Sequence, residues 1–284
     1  RDSITTDHLT GVVVTGTSTD KSSLTGTSVS VDADAKEGIS SLLIAASGAQ
    51  YAAVSASVNV NRQLSDVSAA VDQTEVLGSF AQNANYLGRI TTSAITAAGS
   101  QYAAVPISVV INYADNAVSS SVAHSILRAE GQSASVGANR ISEFSSLNVT
   151  ASGAMYGAAA GLVNVNTIEG ATSAEVNDSE VKAGQFSVNA ENEDHLKVTD
   201  VTATGAIGSL GASVVVSYFK GSSAANLRNS IVTADKLTVS SLQDHYVNGT
   251  VAFASGGIGT IGANVFSLVI GSRDNPFASN RQDL

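Results

Sequence analysis

Apolar and polar residues alternate with a period of two through most of the chain. Between Tyr51 and Asn61, Val54, Ala56, Val58 and Val60 alternate with Ser55, Ser57, Asn59 and Asn61, and Val105, Ile107, Val109 and Ile111 hold the same places one copy later. Such alternation puts the two sets on opposite faces of an extended strand. With the apolar set inward, Val58, Val109, Val163 and Val215 are expected to face the core and Asn59 and Asn164 to face solvent. Charged helix faces with Glu-to-Lys steps are missing, and the residues are Val, Ile and Thr mixed with Ala, Ser and Gly, so strands are expected almost throughout. Clusters of Gly, Asn, Asp and Ser such as Gly78–Asn85 and Glu130–Arg140 read as the turns between them.

The pattern repeats. Taking Gly48, Gly99, Gly153, Gly205 and Gly256 as a ruler, the intervals are 51, 54, 52 and 51 residues. An apolar residue stands nine positions before each (Ile39, Ile90, Phe144, Leu196, Val247) and another ten positions after each (Val58, Val109, Val163, Val215, Phe266). A second block, Ala70–Gly78, Ser121–Ala129, Glu175–Ala183 and Asn226–Ala234, centres two or three polar residues with Ser or Thr between aliphatic ones, at steps of 51, 54 and 51. Its polar slot holds Gln73, His124, Asp178 and Asn229 in turn. Two markers keeping one step mean that a unit of roughly 52 residues is duplicated, the signature of a solenoid. The units fall near 1–38 (partial), 39–89, 90–143, 144–195, 196–246 and 247–284 (partial), with no linker between them, and read as one elongated domain over 1–284.

A propeller blade would carry large aromatic packing residues and a membrane barrel two aromatic girdles, whereas this chain has no Trp and only 5% aromatic residues. A parallel β-helix takes small and β-branched side chains in a slim interior. At coils of about 17 to 25 residues, each unit would hold two or three coils, and about a dozen coils would make a rod roughly 60 Å long. The 25 Gly residues suit that interior.

Charge narrows the partners. The net charge is −10 with 14 scattered Lys and Arg, which argues against a nucleic-acid groove. The absence of Cys excludes disulfides and thiolate metal sites. The chain opens at Arg1 rather than Met and reads as a piece of a longer protein. The uncharged stretch Ala252–Gly271 carries glycines and Asn264 and matches strands in earlier copies, so no membrane span is expected there.

Candidate chemistry is sparse. Gly257–Gly262 matches a dinucleotide fingerprint but occupies a repeat slot with no following helix. Glu191–Leu196 gathers three acids and His195 without a calcium-loop spacing and reads as a solvated turn, as do Asp32 and Asp34. His8, His124, His195 and His245 are too scattered for zinc, and His124 is expected at the surface. The acids Asp66, Glu75, Glu143, Asp178 and Glu180 fall in different slots and build no column, and no nucleophile elbow occurs. No catalytic, cofactor-binding or metal-ligating residue is therefore assigned.

The segments Gly157–Asn166, Ala171–Asn192 and Ile231–Ser241, read as a Gly-Ala motif, V-x-V-N, a polar stretch, A-x-V-x-x-S-x-V-x-A and L-x-V-x-A, resemble the passenger region of the filamentous leukotoxin and haemagglutinin-like exoproteins of Gram-negative bacteria. The likeness covers about residues 36 to 272. It implies an all-β, right-handed parallel β-helix, export by two-partner secretion through an outer-membrane partner that would engage a region outside this chain, and a location at the cell surface or outside the cell. Three functions stay open: an adhesive shaft for a host-cell receptor or extracellular matrix, a segment of a secreted leukotoxin, and a β-helix polysaccharide lyase or hydrolase.

Overall fold

The structure, a computed structural model, describes the backbone of residues 2–15 and 22–271 and, within those ranges, the side chains from Val13 onward. Eleven strands follow one another: β1 (Asp2–Thr15), β2 (Ser22–Ala49), β3 (Ala52–Asp72), β4 (Thr74–Ser100), β5 (Ala103–Ala123), β6 (Ile126–Gly153), β7 (Gly157–Asn177), β8 (Glu180–Gly205), β9 (Gly208–Arg228), β10 (Ile231–Gly256) and β11 (Gly259–Ile270). The odd strands form one parallel sheet in the order β1-β3-β5-β7-β9-β11, and the even strands a second in the order β10-β8-β6-β4-β2. The chain is a parallel β-solenoid of about five repeats whose two sheets face each other. Among the described residues, β1 and β11 are the edge strands of one sheet and β10 and β2 those of the other.

Each unit makes one coil, one even strand followed by one odd strand. The expected coils of 17 to 25 residues, and with them the dozen coils and the 60 Å rod, give way to about five wide ones. The cause lies in the polar clusters read as turns. Gly78–Asn85 lies inside β4 and Glu130–Arg140 inside β6. Their glycines carry bulges instead, with register shifts between Leu77 and Phe80 and between Ala129 and Ser133. Gly78 has φ +117, and a Cβ there would lie 1.8 Å from the Gly26 carbonyl oxygen, so only glycine fits. The exposed Glu130–Ser133 bulge also absorbs the three extra residues of the 54-residue unit.

Two kinds of turn close each coil. At one end Gln73, His124, Asp178 and Asn229, the shared polar slot, all adopt φ between 47 and 50. The following residue is Thr74, Ser125, Ser179 or Ser230, and these hydroxyls build a ladder. Thr74 N donates to Ser125 Oγ, Ser125 N to Ser179 Oγ and Ser179 N to Ser230 Oγ, each at 3.1 Å. Every hydroxyl in turn donates to the carbonyl two residues back, at 2.6 to 2.8 Å. The ladder gives buried backbone donors an acceptor where the strand pairing is interrupted, which is why the slot needs Ser or Thr. At the other end the ruler glycines close the even strands, and short turns through Tyr51, Tyr102, Tyr156, Ile207 and Ile258 lead into the odd ones.

Three apolar clusters fill the space between the sheets. The largest, next to the hydroxyl ladder, includes Val67, Val71, Val76, Phe80, Val122, Val136, Val176 and Phe186. The second holds the row Ile39, Ile90, Phe144 and Leu196 with Val215 and Phe219, as the ruler-minus-nine positions foretell. The third, near the glycine turns, is only Ala53, Ala98 and Ala104.

Candidate functional site

The expected inward face is inverted over the half of each odd strand that follows the glycine turn. Asn59, Asn164 and Ser57 are buried, whereas Val54 is 67% and Val163 37% exposed, and Val58 and Val109 also point outward. The reason is a change of parity within one strand. In β3 the aliphatic residues stand at Val54, Val58 and Val60 but then at Val67, Ala69 and Val71; a strand without a bulge can turn only one parity inward. The large cluster beside the ladder claims the second set, so the first faces out. Val215 alone of the four named valines is buried. It pairs with Asn164, while Val163 pairs with Val214, because the turn between β8 and β9 is one residue shorter than its predecessor.

Part of the inward polar set is bonded to itself, and part, including Asn59 Oδ1, Asn164 Oδ1 and the hydroxyls of Ser213 and Ser217, has no partner among the described residues. Asn61 Nδ2 donates to Asn112 Oδ1 and Asn112 Nδ2 to Asn166 Oδ1, both at 2.8 Å, an amide ladder running from coil to coil. Ser57 Oγ bonds Thr96 Oγ1 at 2.6 Å across the sheets and Ser108 Oγ at 3.1 Å along one. Asp200, fully buried, accepts from Asn148 Nδ2 at 2.6 Å and Asn164 Nδ2 at 3.2 Å. Burial lifts its carboxyl to about 6, the two amide donors holding it lower than burial alone would.

A second polar seam lies between the two larger clusters. Arg140 is the largest fully buried side chain. It donates to Asp194 Oδ1 at 2.8 Å, Asn192 Oδ1 at 2.9 Å, the Glu169 carbonyl at 3.0 Å and Ser142 Oγ at 3.2 Å. Burial draws its pKa down and the Asp194 charge works against that. His245 Nδ1 stands 3.1 Å from Asp194 Oδ2, an ion-pair distance without hydrogen-bond alignment. Tyr86, whose hydroxyl is 3.5 Å from Glu37 Oε2, is raised well above its usual range, first by burial. Glu191–Leu196, expected to be a turn, is thus part of β8, with Asn192, Asp194 and Leu196 inward and Glu191, Glu193 and His195 outward.

On the outer face of the even sheet, Arg89, Glu143, His195 and Tyr246 form one row. They border a depression of about 330 Å³ together with Phe144 and Lys197. Arg89 pairs with Glu143 through Nη2 and Oε2 at 2.5 Å, and the His195 and Tyr246 rings lie 5.9 Å apart. The acids named from sequence are mostly scattered, with one exception: Glu75 and Glu180 share a row, separated by Ile126. Each is held by a cation on its own face, Glu75 by Arg128 and Glu180 by Lys182, both at 2.9 Å. His124 is exposed at its turn, 2.9 Å from Asp72. Asp178 joins it at 3.9 Å, and Asp66 is exposed on β3. His8 lies in β1, where the backbone alone is described.

Exposed apolar surface lies in two places: along the last coil, where β10 and β11 leave Leu237, Val239, Leu242, Phe266 and Leu268 open at the edge of the stack, and at the glycine-turn end, where every coil contributes. Tyr51, Tyr102 and Tyr156 stack at 5.6 and 5.4 Å with interplanar angles of 13° and 15°. Met155, Ile207 and the 91% exposed Ile258 extend this ridge. Outward aliphatic rows descend from it on both sheets, Val54, Ile107, Val163, Leu210 and Ile261 on the odd one and Leu42, Ile44, Ile95 and Leu147 on the even one. A shallow trough of about 630 Å³ runs below the ridge, lined by Ala103, Val105, Gly157, Leu210 and Ile261 among others. On the outer faces charges begin about eight to ten residues down, at Arg62, Asp115, Glu169 and Lys220 on one sheet and at Arg89, Glu143 and Lys197 on the other, and Asp200 is the inward exception. At that level Arg62 and Lys220 lie 5.6 and 5.7 Å from the rings of Tyr113 and Tyr218. Tyr113 is pushed up to about 12, first by burial and then by the neighbouring Asp115 and Glu169. Sequence reading missed this surface because it assumed that aliphatic residues face inward; the parity change between Val60 and Val67 was the available signal.

No protein-family model, curated protein or solved structure matches the chain.

Proposed function

We propose that the chain is an attachment shaft, a stacked scaffold that holds the glycine-turn ridge and its flanking rows against the surface of a host cell or matrix. What supports this reading is above all the exposed ridge: contiguous exposed apolar surface of this kind marks interaction sites rather than ordinary protein exterior. The repetition adds to it, since stacking multiplies one weak outward contact along a column, as the three tyrosines illustrate. The resemblance to exported filamentous adhesins agrees with a location outside the cell. The test replaces Tyr51, Tyr102 and Tyr156 together by Ser and measures binding to cultured cells and to immobilised matrix. Binding is expected to fall by about tenfold or more while the circular dichroism stays that of a β protein. Unchanged binding, or turnover of a polysaccharide abolished by Glu143→Gln or His195→Ala, would overturn the proposal.

A further inference from the structure

Resting on the attachment reading, we infer that the surface engaged by the ridge is a lipid bilayer, into which the glycine-turn end inserts. Four observations point to lipid rather than to a protein partner. First, the end is a convex ridge, and aliphatic side chains project from both of its outer faces as well as from its crest. A single protein partner or a second copy laid on one sheet would leave the other face in water. A fluid apolar phase covers crest and flanks at once.

Second, the inward positions of this half are small and polar and the outward ones aliphatic, which is the polarity of a lipid-facing β-structure. The Ser57–Thr96 and Asn61–Asn112–Asn166 bonds offset part of the cost of burying that set. Third, the ridge and the outward rows below it carry no charge for about eight to ten residues on either sheet: residues 38–61, 90–114, 144–168 and 245–271 contain no Asp, Glu, Lys or Arg, and the matching stretch 196–219 has only Lys197, at its lower limit, and the inward Asp200. Fourth, the crest is built of tyrosines, whose rings suit the boundary between acyl chains and headgroups.

The edges of the sheets limit the depth. Unpaired edge backbone is not tolerated in hydrocarbon, and β2, β10 and β11 are edge strands along this end. The engagement is therefore that of an interfacial anchor, roughly 5 to 10 Å deep, and the Arg62–Tyr113 and Lys220–Tyr218 level stays in water. The net charge of −10 adds that attraction to anionic headgroups is not the source of binding, so neutral lipid is the surface of choice.

The chain has no Trp, so single Trp probes report position cleanly. The experiment places one at the ridge (Tyr102→Trp) and one at the exposed bulge near the opposite turns (Glu130→Trp). Each protein is mixed with phosphatidylcholine vesicles, plain or carrying bromine on the upper acyl chain. Co-flotation is expected for both, with quenching of the ridge probe by at least about twofold and none of the bulge probe. In a third protein, Tyr51, Tyr102 and Tyr156 are all replaced by Ser on the exposed crest, and its circular dichroism is checked against the parent's. Its partitioning is expected to fall by about tenfold. The inference is overturned by absence of flotation, by equal quenching at both ends, by binding to phosphatidylglycerol vesicles alone that salt abolishes, or by sedimentation showing a dimer that the tyrosine replacement dissolves. If vesicles are ignored while cell or matrix binding still depends on the tyrosines, attachment stands and lipid falls; if neither depends on them, both fall.

Discussion

Asp200 shows how much a single inward residue controls. Its carboxyl is raised to about 6 by burial, above the ordinary value of 3.8, so the folded chain binds the extra proton more tightly than the unfolded one. The resulting stabilisation is fully present below the unfolded value and is lost as pH rises through about 6. A shift of this size corresponds to about 3 kcal/mol. Protonation also supplies a donor for Asn148 Oδ1 or Asn164 Oδ1, which find no partner among the described residues. Asp200→Asn is expected to be more stable than the parent by about 1 to 3 kcal/mol at pH 7.5 and equal to it near pH 4. Urea melts of the two proteins across that range check the difference. The Arg140–Asp194 pair behaves in the opposite sense. Asp194→Asn strands a buried guanidinium and is expected to cost about 3 to 5 kcal/mol, whereas replacing both partners by Met and Leu is expected to recover most of that loss. A double-mutant cycle in the same assay decides it.

Within the strands, the hydroxyl ladder and the parity change answer different questions about how an element is specified. Ser125→Ala removes the acceptor of Thr74 N and the donor to Ala123, leaving a buried N–H unpaired, and is expected to cost about 1 to 3 kcal/mol by chemical denaturation. Asn112→Asp puts a carboxylate in the amide ladder and is expected to cost about 3 to 5 kcal/mol. Val109→Asp, on the outer face, is expected to cost under about 1 kcal/mol, and equal losses in the two melts would restore the valine-inward register. The repeat itself was legible, since Ile39, Ile90, Phe144 and Leu196 do line one buried row and Gln73, His124, Asp178 and Asn229 do share one turn. Coil size was not, because Gly78 and Gly131 look the same in sequence whether they end a strand or bulge it. Nor was the orientation of Val58 and Asn59. Alternation states only that two faces exist, and which one is inward is settled some ten residues away, where Val67 and Val71 meet Val76 and Phe80.

At the scale of the whole molecule, five coils of 21- to 28-residue strands make a broad plate rather than a rod. It should measure roughly 70 to 90 Å along the strands and about 25 Å along the stacking direction, and small-angle scattering should report that anisotropy without the 60 Å stacking axis that short coils would give. The one-coil unit has a further consequence, for the time it takes to form. Nearly every described strand residue pairs with partners 51 to 54 positions away, and among the described residues no hairpin brings neighbours in sequence together. Closing the first such loop costs chain entropy before any contact repays it, so the opening event is slow. Once two coils are in place, each later one lies down on a finished template. Stopped-flow refolding from urea should therefore show a slow phase, on the order of seconds.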